Sequence, residues 1–247
     1  MSTTSGEPLY KIENLTKRFG GLVAVSALTM EIREGEILGL IGPNGAGKST
    51  TFNLISGFYK PTTGVLIFDG RVVTGMAPEK IAKLGMARTF QHGSLMRELT
   101  VRDNIRVGAT GALDNHTDRM RRVEETAEIL GLTRYLDEMA GILPHGIQRL
   151  VSIGIAFATR PRLLCLDEPL TGLNQSEVIS TLATFSEIRG AFKTTILLVE
   201  HNMKAVMKIC ERIVVLHHGR KLSQGTPAEI RRDASVVSAY LGTHNAS

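Results

Sequence analysis

The sequence predicts an α/β fold: a mostly parallel sheet covered by helices, with a helical segment inserted near its middle. Three observations carry this. Short apolar runs such as EILGLI (Glu36–Ile41), LLCL (Leu163–Leu166) and TTILLV (Thr194–Val199) read as strands buried on both faces. Helix-like segments alternate with them, the order expected when crossovers join parallel strands. Between about His92 and Thr159 the strand signal nearly stops.

Taken in order, residues 1–8 form a polar leader. Two strand-like runs follow, Leu9–Asn14 and Leu28–Ile32, giving an N-terminal antiparallel β part. Glu36–Ile41 is a buried strand that ends at Gly42. Lys48–Ser56 is a helix stopped by Gly57. Val65–Phe68 is a strand closed by the turn pair Asp69-Gly70. Pro78–Leu84 is a short helix with Pro in its first turn. In the insert, Asp118–Leu130 is a charged helix, and its run RMRR (Arg119–Arg122) reads as a solvated face. Arg149–Thr159 is a more apolar helix. The α/β pattern then returns: strand Leu163–Leu166, helix Gln175–Arg189, strand Thr194–Val199, helix Met203–Cys210 and strand Ile213–Leu216. Short helices Pro227–Arg232 and Val236–Leu241 close the chain.

Composition bounds the function. With 247 residues the chain can bury a core unaided, and 43% hydrophobic with 21% charged residues is globular rather than disordered. Its longest stretch without Lys, Arg, Asp or Glu is 14 residues, Ala234–Ser247, against about 20 apolar residues for a membrane span. The opening MSTTSGEP has neither the basic nor the apolar region of a secretory signal. Two cysteines, Cys165 and Cys210, make no disulfide framework and suit a reducing cytoplasm. The net charge of +5 is spread among acids, with no concentrated basic patch for nucleic acid.

Gly42–Ser49 reads GPNGAGKS, matching G-x-x-x-x-G-K-[ST]. Glycines at these places let successive backbone N–H groups turn inward around an anion. The helix beginning near Lys48 points its positive end at the same place. Pro43, Asn44, Gly45, Ala46 and Gly47 form the cradle. Lys48 reaches the β- and γ-phosphates of a bound nucleotide, Ser49 offers a hydroxyl to Mg²⁺, and Thr50 lies beside it. A second Mg²⁺ anchor is supplied by LLCLDEP, where an apolar strand ends in Asp167 at the edge at which α/β sheets bind ligands. Glu168 follows at once, suited to polarise an attacking water.

In this order, these residues resemble the ATP-binding subunit of an ABC transporter, over about Leu9 to Leu241. The resemblance implies a P-loop NTPase (RecA-like) core, residues 9–91 and 160–241, and a helical signature subdomain, residues 92–159. KRFGG carries Phe19, implied to stack on adenine. RTFQ carries Gln91, implied to sense Mg²⁺ and the attacking water. LTGLN has Asn174 where many members have Asp, and LLVEHN carries His201, the implied switch histidine. Within ABC proteins, GFYKPTTG, RTFQH, DEPLTGLN, TTILLVEHNMKAVM and AYLG resemble importer subunits for branched-chain or other hydrophobic amino acids. Urea and aromatic-acid importers share the architecture. Soluble ABC-type ATPases acting on nucleic acid are disfavoured, for no heptads separate the motifs. A kinase or GTPase is disfavoured because no N-K-x-D stretch appears.

One departure stands out. Where most members have LSGGQ, this chain has LPHGIQR (Leu143–Arg149). Pro144 replaces the serine, His145 a glycine and Ile147 a glutamine; Gly146 remains at the N-terminal end of a helix. A lost hydroxyl bond to a charged phosphate costs roughly 1.5–3 kcal/mol, about ten- to 150-fold in affinity. In the head-to-tail dimer that the family implies, this loop serves the ATP of the other subunit. The expectation is therefore a heterodimer with a second ABC ATP-binding subunit that has an intact signature. Two membrane-spanning permease subunits and, indirectly, a periplasmic or extracellular substrate-binding protein complete the implied assembly. The chain itself is expected to be peripheral, on the cytoplasmic face of the inner membrane.

Overall fold

A computed structural model describes residues 8–89 and 95–241. The chain divides into two compact units, one formed by residues up to Ile81 and from Leu197 onward, the other by Ala82–Ile196.

The first unit opens with a long hairpin, β1 (Tyr10–Phe19) against β2 (Leu22–Ile32), pairing Tyr10 with Ile32 and Phe19 with Leu22. The two expected runs are the ends of this hairpin. Its register slips near Asn14 and Ala27, both at positive φ, and these irregularities break the alternation that marks a strand in sequence. Next come β3 (Ile37–Ile41), α1 (Lys48–Ile55), β4 (Thr63–Phe68), β5 (Arg71–Val72) and α2 (Pro78–Lys83). β2, β1, β4 and β5 form an antiparallel sheet in that order. All five residues of β3 are buried, as an interior parallel strand requires.

The second unit holds β6 (Met86–Arg88), α3 (Val101–Thr110), α4 (His116–Ile129), α5 (His145–Ala158), β7 (Leu163–Asp167) and α6 (Gln175–Phe192). β6 runs parallel to β7, pairing Arg88 with Cys165. The insert is helical, as expected, and α3 is an element the sequence reading did not mark. Thr100 caps α3 through its side chain, which accepts from the Asp103 N–H. α3 approaches α5 closely at Gly108: a Cβ there would lie 2.0 Å from the Ile155 carbonyl oxygen. Gly108→Ala is therefore expected to destabilise the fold by about 1–3 kcal/mol through forced separation of the two helices. A urea midpoint equal to wild type would contradict that packing.

The RMRR face is not uniformly solvated. Arg121 is exposed, but Arg122 is only 1% accessible. Its guanidinium lies 4.3 Å from the Phe157 ring centroid and 5.4 Å from that of Phe192. Nη2 donates to the Phe157 carbonyl at 2.6 Å, Nε to the Ala158 carbonyl at 3.4 Å, and Nη1 to Glu125 at 2.9 Å. Burial pulls its pKa below the ordinary arginine value, and the Glu125 hydrogen bond pulls it back. The solvated-face reading fails because the last carbonyls of α5 need donors from outside the helix.

β8 (Thr195–Val199) carries the chain back to the first unit. There follow α7 (Met203–Ile209), β9 (Arg212–His217), β10 (Arg220–Gly225), α8 (Pro227–Arg232) and α9 (Ala234–Leu241). The second sheet of this unit runs β10-β9-β3-β8, with β9 parallel to β3 and antiparallel to β10. Thr226 and Glu229 form a capping box at α8. Cys165 and Cys210 are free thiols in the core, and burial pushes Cys165 up to about 12, away from thiolate chemistry. Among the described residues no helix is long and apolar enough to cross a membrane.

Candidate functional site

In the first unit the phosphate loop joins β3 to α1. Two of its glycines are required by close backbone approach. A Cβ on Gly42 would meet the Leu216 carbonyl oxygen at 2.3 Å, and one on Gly47, at φ 99°, would meet that of Ala24 at 2.6 Å. Gly47 is also the N-cap of α1, so no side chain caps this helix. The helix dipole favours an anion at this N-terminus. Lys48 is buried. Its Nζ donates to the carbonyls of Gly42 at 2.7 Å and Pro43 at 3.1 Å, folding the side chain over its own loop. Ser49 is exposed and Thr50 half-buried. Asn44 and Gly45 are exposed at the tip, and Ala46 is buried beneath it.

Phe19, at the end of β1, is 43% exposed. Tyr59 meets it edge-on with centroids 5.4 Å apart, and Lys17 Nζ lies 4.9 Å from the Phe19 centroid. The sequence reading singled out Phe19 but not Tyr59 or Lys17. The spacing of 40 residues between the two rings hid the pair, though both stand in quoted motifs. The result is an open aromatic face suited to a base.

His201 follows β8, which is next to β3 in the sheet. Its side chain is 57% exposed. Glu200, fully buried, accepts from the backbone N–H of His201 at 3.1 Å and of Asn202 at 3.4 Å. Glu200 Oε2 is also 4.0 Å from His201 Nδ1. Asn202 caps α7 by accepting from the Ala205 N–H at 3.2 Å. The histidine therefore stands on a turn pinned at both ends.

In the second unit Asp167 closes β7 and is nearly buried. Its N–H donates to Thr89 Oγ1 at 3.3 Å. Arg88, on β6, is pulled below its ordinary pKa by burial, an effect the Asp167 carboxylate opposes. Glu168 is half-buried and sits at φ 47°, a strained place for a residue with a Cβ. Arg149 holds this turn from α5: Nη2 donates to the Glu168 carbonyl, and Nε to that of Pro169 at 3.3 Å. Neither Arg149 nor Arg88 had been assigned a part from sequence.

α5 begins at His145, four residues before the sequence-based start, with Pro144 as an N-cap that makes no side-chain bond. Gly146 lies in its first turn and is buried. A Cβ there would meet Glu177 Oε1 at 2.6 Å. Glu177 in turn accepts from the Asn174 N–H at 2.8 Å, while Asn174 caps α6. Gln91 lies outside the described residues.

For Mg²⁺ the donor set is chemically apt: a hydroxyl and a carboxylate are hard oxygen ligands. For the triphosphate, the glycine cradle and the uncapped α1 fit. Each unit assembles its polar groups on the loop that follows a buried strand.

Comparison with known proteins agrees with this geometry. The ABC transporter family model matches residues 25–171, and that of the branched-chain amino acid ATP-binding cassette transporter matches residues 220–246. The chain is 43% identical to the high-affinity branched-chain amino acid transport ATP-binding protein LivG of Salmonella typhimurium, over 96% of this chain and 98% of that protein. It is 40% identical to BraF of Pseudomonas aeruginosa, which has the same description, over 95% and 98%. Among solved structures, a nucleotide-free ATP-binding cassette from an ABC transporter superposes with a TM-score of 0.85 at 28% identity, covering 94% of this chain and 98% of that one. A cassette in its ADP conformation gives 0.86 at 28% identity, covering 96% and 100%.

Proposed function

The chain belongs to the ABC transporter family, in its branched-chain amino acid branch, and we propose that it is the ATP-hydrolysing subunit that powers an importer for branched-chain or other hydrophobic amino acids. The likeness to LivG and BraF supports the cargo, and the match to the branch-specific C-terminal segment supports it independently. The observation that carries the ATPase reading is the phosphate loop, with its collision-limited glycines, uncapped α1 and buried Lys48.

In this reading the loop N–H groups from Gly42 to Thr50 hold the phosphates, and Phe19 stacks on the adenine. Lys48 exchanges the carbonyls of Gly42 and Pro43 for phosphate oxygens. Ser49, Asp167 and Gln91 are the ligands assigned to Mg²⁺, which when bound neutralises charge developing on the phosphates. Glu168 accepts the proton of the attacking water. His201 donates to the γ-phosphate, and Glu200 fixes its turn. Lys48→Ala removes a charge-assisted bond and is expected to weaken ATP binding about ten- to 150-fold, read by equilibrium nucleotide titration. Unchanged affinity would remove Lys48 from the phosphate contacts.

Gly146 and the N-terminus of α5 serve the ATP of a partner subunit, where Pro144 offers no hydroxyl. The partner is a second ABC ATP-binding subunit, favoured to be a different chain, and both sit on membrane-spanning permease subunits at the cytoplasmic face of the inner membrane. A periplasmic or extracellular binding protein delivers the cargo. The test compares ATP turnover of this chain alone with turnover after mixing with that second subunit. A large gain on mixing is expected, and brisk turnover alone overturns the heterodimer.

A further inference from the structure

Helix α9 has two differently occupied faces. Ser235, Ser238 and Ala239 line a cleft of about 500 Å³ whose other wall is the phosphate loop, Pro43–Ala46. Val236, Val237 and Tyr240 line a second cavity, of about 560 Å³, shared with α7 and α8. The spacings of three and four residues separate the two sets onto different sides of one helix.

The second cavity is apolar inside: Met203 and Met207 come from α7, Ile230 from α8, and the two valines from α9. Its charged lining residues are Lys204, Lys208 and Arg231, all exposed and all cationic; among the described residues no Asp or Glu lines it. Long cationic side chains can lay their stems along such walls and keep their heads at the mouth. Paired methionines adapt to chains of varied shape. Volume, apolar lining and a few polar groups at one end are the features of a small-molecule site. Tyr240 lines this cavity with its hydroxyl buried, on the same helix whose other face looks across the cleft to the phosphate loop.

We propose that this cavity binds an amphiphilic monocarboxylate, an apolar chain with one anionic head as in a medium-chain fatty acid, and that its occupancy weakens nucleotide binding through α9. The carboxylate meets Lys204, Lys208 and Arg231, and the chain lies on Met203, Met207, Ile230 and Val236. A free amino acid fits poorly, because no acid in the lining would receive its ammonium. A bound chain presses on Val236, Val237 and Tyr240 and shifts α9 against the cleft it shares with Pro43–Ala46. The binding half stands alone; the coupling half rests on the nucleotide site proposed above.

The test titrates the full chain with monomeric sodium decanoate by calorimetry, and with ADP in its presence and absence. One decanoate per chain is expected at about 100 μM or tighter, with decanol and leucine much weaker. Reversing both lysines, Lys204→Glu with Lys208→Glu, weakens binding about tenfold or more. Met207→Trp fills the cavity and abolishes binding; the exposed lysine pair keeps the test decisive if that variant misfolds. Saturating decanoate lowers ADP affinity about fivefold or more, and saturating ADP lowers decanoate affinity by the same factor. The proposal is overturned by non-saturable binding, by equal affinity for decanol, by indifference to the lysine reversal, or by binding to anionic phospholipid vesicles alone. Unchanged ADP affinity at saturating decanoate overturns the coupling. Failure to bind ADP without decanoate strikes the proposed function instead, and leaves the decanoate result readable.

Discussion

Glu168→Gln is expected to lower ATP turnover by about 10²–10⁴-fold while leaving ATP binding intact, the size of effect associated with a lost general base. The substitution changes one oxygen to an amide nitrogen and keeps the shape. The turn that presents the side chain is held through backbone atoms: Arg149 donates to the carbonyls of Glu168 and Pro169, so the αL conformation does not depend on the carboxylate. β7 behind it is wholly buried. What the change removes is the carboxylate's capacity to accept a proton. Phosphate release and nucleotide titration, measured on the same preparation, separate the two effects. Turnover within a factor of a few of wild type would assign water activation to another group; parallel loss of binding would mean that the turn itself had moved.

Arg122→Ala is expected to cost about 2–5 kcal/mol of stability, the range for deleting a large buried side chain. Three losses add. The stacking on Phe157 and Phe192 goes, a cavity opens between them, and the carbonyls of Phe157 and Ala158 lose the Arg122 donor, leaving Phe157 with the Arg160 N–H. Those carbonyls end α5, so a cation there also meets the negative end of the helix dipole. Arg122→Lys keeps the charge and part of the stem, so it should recover a fraction of the loss. Urea denaturation with a fixed slope gives the difference from the midpoints. Equal midpoints for wild type and the alanine variant would return Arg122 to the role of a surface charge.

Much of the fold was legible because its signals are local. The run Glu36–Ile41, the glycines after it and Lys48 stand in one contiguous stretch, and each obeys a rule that needs no distant partner. The pairing of Leu163–Asp167 with two carboxylates at its end was legible for the same reason. Helix α5 was read late because Pro144, His145 and Gly146 are poor helix formers, and the start is set instead by packing of Gly146 on Glu177. β10, RKLSQG, carries almost no apolar residue; its partner β9 makes it a strand. β6 is three residues long, too short for any periodicity. Arg122 was misread because the rings that bury it lie far along the chain, Phe157 and Phe192. In the site, Tyr59, Arg88 and Arg149 escaped notice since their parts depend on neighbours brought together only by folding.

The position of β3 has a consequence for biosynthesis. Its hydrogen-bonded neighbours in the sheet are β9 and β8, so both flanks of the strand are supplied by the last fifth of the chain. The contact between Ile37 and Glu211 alone spans 174 residues. At 5–20 residues per second, a ribosome takes about 10–35 s to make that stretch. For most of that interval the nascent chain presents ILGLI, five residues that end up fully buried, before β8 and then β9 are made. The helical unit is synthesised in between and can fold while β3 waits. Holdase chaperones therefore have a defined window and a defined target on this polypeptide, and it closes when residues 212–217 emerge.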